Sequence, residues 1–466
     1  MRPALLFKSG ARLRGLPALR RWQAEAVLVA LTCIAGTGAA RAQVILPPMV
    51  PEAPPWNAVK LFDSRPFAQQ WDDSDDDTVA PEDTPVKTRQ QPGYEPVGVR
   101  NGPWMFYPSV MTGAVYDSNV FASNTEKRSD IAAVVHPSLR VESLWERHAA
   151  VLQADVSSYF YKNNPGLNYT NASLKGRGRY DIAHDAQLLM SFRGGHFNEE
   201  VGNVSSPAGA VQPTPYDLWS GDVTYRKEFN RLIGSVGVSF TSYDFGSTRA
   251  QNGTIINQDS RDGNIYTVHG RLEYVVSPNF GLFTALEGNE RDLRGTPTQA
   301  LSSSGVRALT GVDMKLTNLV RGEFGIGYAR QSFDAATIGT IEGPAYRAQL
   351  TWSPTRMLDV RFNAEQIVTE ASDTSASGVR ADALQVALDY EFRRNMVLSF
   401  GYTYEMDKFF GQDRHDTVSS TTAELKYLLN RHSSIGLRHR YISRESSLPS
   451  FTYDKHELGI NVTAQY

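Results

Sequence analysis

The chain has 466 residues, a formal net charge of −3 and one cysteine, Cys33. That composition excludes a disulfide scaffold and a thiolate zinc protein, and its acidic balance argues against general nucleic-acid binding. The mean hydropathy is negative, which excludes a bundle of membrane helices but not a β-barrel, whose strands show lipid only every second residue.

Residues 1–42 read as a secretory signal peptide. Arg2, Lys8, Arg12, Arg14, Arg20 and Arg21 form a basic leader, and Val27 to Ile34 is an apolar stretch too brief to span a bilayer as a helix. Ala40-Arg41-Ala42 supplies an A-x-A pattern, which places cleavage before Gln43. Nothing around Arg20-Arg21 supports a twin-arginine signal, and Thr32 is a poor lipobox residue before Cys33. Cleavage removes seven basic residues and one acid, taking the net charge from −3 to −9 and leaving no cysteine.

Residues 43–97 form a different segment. Ten of the 24 prolines lie between Gln43 and Pro96, with the acidic run Asp72-Asp73-Ser74-Asp75-Asp76-Asp77. Such a stretch buries too little apolar surface to offset its ordering entropy, so it is expected to be disordered and periplasmic. The run lacks the glycine and terminal glutamate of an EF-hand loop, so a solvated charge run is the simpler reading than a calcium site. A loose plug in a pore is the other role open to it.

From residue 98 onward the chain reads as hairpins. Tight polar turns are expected around Glu146-Arg147, His184-Asp185, Asn230-Arg231, Pro278-Asn279, Thr317-Asn318, Pro354-Thr355, Arg393-Arg394 and Asn430-Arg431. Most lie 37 to 39 residues apart, with two longer intervals near 46 and 48. Between them run long polar stretches, such as 198–215, 246–263, 293–304 and 371–379. Short turns on one side and long loops on the other is the asymmetry of an outer-membrane barrel.

Period-two alternation supports each strand. Leu358, Val360, Phe362 and Ala364 oppose Asp359, Arg361, Asn363 and Glu365; Leu458, Ile460, Val462, Ala464 and Tyr466 oppose Glu457, Gly459, Asn461, Thr463 and Gln465. The same holds over 266–276, 346–352, 396–405 and 423–429, while 106–119 alternates least clearly. Eight turns join sixteen strands, and one more at each end makes eighteen; sixteen is the competing count. The predicted fold is all-β, a transmembrane up-and-down antiparallel β-barrel over 98–466. Its main structural rival is a soluble all-β repeat protein such as a propeller.

Two aromatic belts are expected at the membrane interfaces. Tyr180, Phe229, Tyr274, Trp352, Phe392, Tyr427 and Tyr466 lie near the short turns, and Tyr161, Tyr243, Phe333, Tyr404 and Phe409 near the loops. A barrel of this size leaves a water-filled lumen unless loops or a plug close it. Its charged candidates are Lys175, Arg177, Arg179, Arg271, Arg321, Arg347, Arg361, Glu365, Arg438 and Arg440. Acids share the same faces, so no strong preference for anions or cations is expected, and pairs on neighbouring strands would stiffen the wall. The notable patch is Lys175, Arg177 and Arg179, three basic residues on one strand face, which suits a passing anionic polymer or pairing with nearby acids.

Catalysis is not expected. His136 and Ser138 sit two apart on one strand face, a spacing some outer-membrane lipases use, but no third orienting group is evident and Pro137 lies between them. No G-x-S-x-G, H-E-x-x-H or P-loop pattern occurs. No catalytic residue, metal site or cofactor is assigned.

Tyr107-Pro108-Ser109-Val110 and Tyr116-Asp117-Ser118-Asn119-Val120-Phe121-Ala122 resemble the opening of the proteobacterial family described as putative β-barrel porin 2. So do His136 to Ser143, with Trp145 and His148 after them. The resemblance covers about 98–466 and is sharpest over the first two strands. It implies an outer-membrane pore and carries no catalytic residues. Some relatives look linked to export of exopolysaccharide or capsule with a periplasmic export partner, so a dedicated exporter stands beside a general porin. Outer-membrane lipid and the barrel assembly machinery are the further partners expected, and nucleic acid is not.

If the signal and the barrel are both as read, the mature protein fractionates with the outer membrane and migrates heat-modifiably on a gel. Recovery from the soluble periplasm without detergent would favour the propeller.

Overall fold

The computed structural model describes residues 86, 91 and 93–466, apart from 203–205, 208, 296–300, 318, 336–338 and 370–377. The expected signal peptide and the Asp72–Asp77 run lie outside the described residues. Eighteen strands form the wall: β1 (Trp104–Asp117), β2 (Asp130–Ser143), β3 (Ala149–Tyr161), β4 (Tyr169–Ala183), β5 (Ala186–Glu199) and β6 (Thr214–Phe229). They continue as β7 (Leu232–Phe245), β8 (Gly263–Ser277), β9 (Phe280–Leu293), β10 (Ser303–Thr317), β11 (Val320–Phe333) and β12 (Thr340–Thr355). The last are β13 (Leu358–Thr369), β14 (Gly378–Arg393), β15 (Met396–Phe410), β16 (His415–Asn430), β17 (Ser433–Ser446) and β18 (Tyr453–Gln465).

Each strand pairs antiparallel with its successor, and β1 pairs with β18 from Ser109↔Gln465 to Asp117↔Glu457. The cylinder is therefore closed at eighteen strands, not sixteen. Closure gives every strand two neighbours, which is what removes exposed sheet edges in lipid. Both ends of the barrel chain lie at the short-turn end.

Seven short turns contain two residues and the first, 144–148, contains five. His184-Asp185, Asn230-Arg231 and Pro278-Asn279 occupy turns as expected. Later turns fall one or two residues further on, at Arg356-Met357, Arg394-Asn395 and Arg431-His432; of the turn 318–319 only Leu319 is described. The cause is the closing pair. Thr317, Thr355, Arg393 and Asn430 are polar but still pair, with Val320, Leu358, Met396 and Ser433, after a break in register. The long connections 200–213, 246–262 and 294–302 lie at the opposite end. In the second of these, Asp262 accepts the Phe245 N–H at 2.7 Å and ends β7, and burial pushes its carboxyl up.

The outer face is apolar where alternation was clear, with Leu272, Trp352, Phe400 and Ile460 all exposed. All seven aromatics expected at the short-turn end point outward. At the loop end the expectation fails for Tyr161, Tyr243, Phe333 and Phe409, which face inward; Tyr404 alone lies on the outer face. Exposed aromatics in the loop-end half instead include Phe160, Trp219, Tyr266 and Tyr328. There the inner wall carries its own aromatic clusters, such as Phe197, Tyr216, Tyr243 and Phe245. A one-residue error reverses the face, and two apolar faces hide it.

The weak alternation of β1 has the same origin. Its inner residues Met111 and Val115 pack with Ala132, Val134, Tyr159 and Tyr169. Above them the loop after β1 turns into the mouth, where Ala122 packs on the inward residues Val418, Ile442 and Tyr453. Val120 meets Leu167 and Val201 from two other loops. Gly202, at φ 83°, is required at this meeting, since a Cβ would sit 2.1 Å from that of Ala122.

The β1–β18 seam is locked by buried charge. Lys455 Nζ donates to Asp117 Oδ2 at 2.9 Å and reaches Glu457 Oε1 at 2.8 Å, and Arg440 lies 3.4 Å from Glu457. Asp117 Oδ1 also accepts the Asn119 N–H at 2.8 Å, while the Asn119 amide donates to the carbonyls of Ser123 and Asp454. Lys455→Met strands the buried Asp117 and leaves Glu457 with Arg440 alone, and should cost about 3–5 kcal/mol, read as a lower temperature for the folded-to-unfolded band conversion. Lys127→Met breaks only the ion pair with Asp454, whose side chains are 43% and 41% exposed. It should cost about 0–1 kcal/mol.

Candidate functional site: the inner wall

Each strand presents every second side chain to the interior. The ten charged candidates, Lys175, Arg177, Arg179, Arg271, Arg321, Arg347, Arg361, Glu365, Arg438 and Arg440, lie on inward faces, opposite the exposed apolar residues of their strands. The concave side also brings non-adjacent strands together. Arg271 on β8 reaches Glu323 on β11 at 2.6 Å, and Arg307 on β10 reaches Glu365 on β13 at 3.1 Å.

From β8 to β14 the structure gathers these residues into an ion-pair network. Arg271 also meets Glu273 at 2.9 Å and stacks over Phe283; Arg307 meets Glu287 at 3.2 Å, and Arg347 shares Glu365 at 2.7 Å. Arg361 donates to Asp389 at 2.5 Å. Arg321 lies nearer the turns, opposite Lys315 and Thr351. Such pairing stiffens the wall and leaves little unbalanced charge along it.

Near the short turns this wall becomes acidic. Asp359 and Asp389 stand directly opposite each other, and accept hydroxyls from Ser353 and Ser399, each at 2.6 Å. Two residues from before the barrel are held here. The Val86 N–H donates to the Asp359 carboxylate, and the Gln91 amide donates to Glu391 at 3.1 Å.

The wall formed by β1–β7 differs. Lys175 on β4 is directly opposite Arg193 on β5, and the same ladder row continues through Gln153 to Arg140 on one side and to Ser220 on the other. Arg177 and Arg179 follow along β4; Arg179 meets Asp181 at 3.2 Å, and Arg140 pairs with Glu142. Arg438 and Arg440 belong to the seam instead, buried near Glu457. Reading single strands missed Arg193, Arg140 and Gln153, because their membership in one row depends on register.

The His136–Ser138 pair acquires a third group, Asp155, that the spacing did not disclose. Ser138 Oγ donates to Asp155 at 2.7 Å and His136 Nε2 lies 3.6 Å from the same oxygen, so the carboxylate, not the imidazole, receives the hydroxyl. A second group joins Asp222, Thr224 and His269. Thr224 Oγ1 donates to Asp222 at 2.9 Å and lies 3.0 Å from His269 Nε2, passing over Gly237, where a Cβ would stand 2.4 Å from the imidazole. Here too the acid holds the hydroxyl, which is not the base-orienting order of a nucleophilic relay. Among the described residues no cluster of three or more His, Cys, Asp or Glu could hold a metal ion.

No curated protein matches the chain. Similar solved structures include OccAB3 of Acinetobacter baumannii, at 10% identity over 78% of this chain and 100% of that one, with a TM-score of 0.41. OpdL of Pseudomonas aeruginosa shares 13% identity over 78% and 99%, at 0.41. The siderophore receptor PiuA of A. baumannii shares 10% over 79% and 82%, at 0.43. Scores this low carry nothing further about this chain. A family model described as putative beta-barrel porin 2 matches residues 91–466, spanning the closed barrel and its inward-facing charges: the chain belongs to the putative β-barrel porin 2 family of porin-like outer-membrane β-barrels.

Proposed function

We propose that this barrel is a pore for hydrophilic solutes across the outer membrane. The supporting observation is the division of its wall: apolar outside, and inside a polar surface carrying both charge signs over most of the circumference. Barrels of 16 to 18 strands are wide enough for an aqueous channel. Residues 1–42 would be removed on export, the short turns would face the periplasm, and residues 43–97 would start there and meet the inner wall at Val86 and Gln91. Outer-membrane lipid and the barrel assembly machinery are the partners this reading requires.

A dedicated exopolysaccharide exporter with a periplasmic partner is the second reading, favoured by the donor-rich row around Lys175 and Arg193. Deletion separates the two. A pore deletion should slow uptake of small hydrophilic solutes and leave surface polysaccharide unchanged, and the purified protein should conduct ions in planar bilayers. Loss of surface polysaccharide, with uptake unchanged, would replace the pore by an exporter.

Orientation has its own test in the cysteine-free mature chain. Gln251→Cys, in an exposed long loop, should react with an impermeant thiol reagent on intact cells. Arg231→Cys, in an exposed short turn, should react only after the outer membrane is opened. The reverse pattern would invert the proposed topology.

A further inference from the structure

The row Arg140–Gln153–Lys175–Arg193–Ser220 crosses five consecutive strands, β2 to β6, with no carboxylate in it. Neighbouring strands lie about 5 Å apart, so the row extends roughly 19 Å around the wall. Lys175 and Arg193 are directly opposite, and like charges so placed repel. The next inward residues on β5 and β6 are Ser191 and Asp222, but Asp222 is engaged with Thr224 and close to His269. Arg193 forms no ion pair with the described residues. It stacks over the Phe197 ring at 4.8 Å, and its buried Nε has no hydrogen-bond partner.

Two cations standing directly opposite each other, one of them without an ion pair among the described residues, favour an anion between them. Ser220 flanks Arg193 with a hydroxyl able to donate, while the Gln153 amide donates to Asp155 at 3.1 Å. On the far wall the acids are already engaged, Asp389 by Arg361 and Ser399 and Asp359 by Ser353 and the Val86 N–H.

We propose that this row is a binding site for small solutes bearing two or more anionic groups, carboxylate or phosphate. One group is held between Lys175 and Arg193, and another lies along the row towards Arg140, two strands further round, whose charge is shared with Glu142. The site is local, so it adds binding to a pore whose overall charge selectivity stays weak. The proposal rests on the pore reading only for how the solute arrives.

The test uses the purified full-length mature protein in detergent, with citrate, sulfate and acetate as probes and calorimetry as the readout. Binding needs no open channel there, so a failure of conductance and a failure of this site are separate results. Citrate should bind at least about tenfold more tightly than acetate, and Lys175→Gln or Arg193→Gln should each weaken citrate by about tenfold. Arg193→Lys should retain most of the affinity, showing that the fold survives substitution. Arg330→Gln removes the same charge from the outer surface, where its side chain is 62% exposed, and should leave citrate binding unchanged. In bilayers citrate should interrupt the current of the native protein and not that of Arg193→Gln. Citrate binding no tighter than acetate, or equal in Arg193→Gln and the native protein, would overturn the site. Binding of an anionic oligosaccharide without binding of citrate would overturn it in favour of a polymer.

Discussion

The whole structure depends on one constraint: no backbone N–H or C=O can stay unpaired in hydrocarbon. A sheet meets it only by closing, so the pairing of β1 with β18 is the step on which the other seventeen pairings depend. The side chains at that seam are accordingly unusual. Lys455 lies between Asp117 and Glu457, with Arg440 behind the second acid, so a buried charge cluster spans β1, β17 and β18. Separating Lys455 from Asp117 leaves a buried carboxylate without its cation, which makes the seam specific for its own partner strand.

The seam also explains the segment Tyr116-Asp117-Ser118-Asn119-Val120-Phe121-Ala122. Asp117 serves the ion cluster and the Asn119 N–H, and Asn119 ties the loop to Asp454 on β18. Ser118 exchanges hydrogen bonds with His456, and Ala122 reaches the inner wall of β16–β18. These residues thus shape the closed barrel and its loop-end mouth. Their chemistry is structural, consistent with a motif that belongs to a family of barrels rather than to a reaction.

Inside, curvature does what single hairpins cannot. It lets strands three apart share ions, and it segregates the wall into an apolar sector at β1–β4, a donor-rich row at β2–β6, a paired sector at β8–β14 and an acidic rim. Paired charges hold shape, and unevenly placed charges make a field.

Much of the fold was legible in local pattern. Period-two alternation over 266–276, 346–352, 358–365, 396–405 and 423–429 settles which face of each strand meets lipid, because water on one side and hydrocarbon on the other make opposite demands on adjacent residues. Turn residues narrow the strand count to eighteen or sixteen, and the pairing of β1 with β18 fixes it at eighteen. Where both faces are apolar, as in β1 and in the loop-end halves near Tyr161, Tyr243, Phe333 and Phe409, alternation fades and only the tertiary structure decided which way a ring points. It alone also decided register. That Lys175 meets Arg193, that Arg140 and Gln153 complete their row, and that Lys455 finds Asp117 across 338 positions of sequence depends on the stagger of whole strands. Stagger is set by the collective pairing of a closed cylinder, and no single stretch of chain contains it.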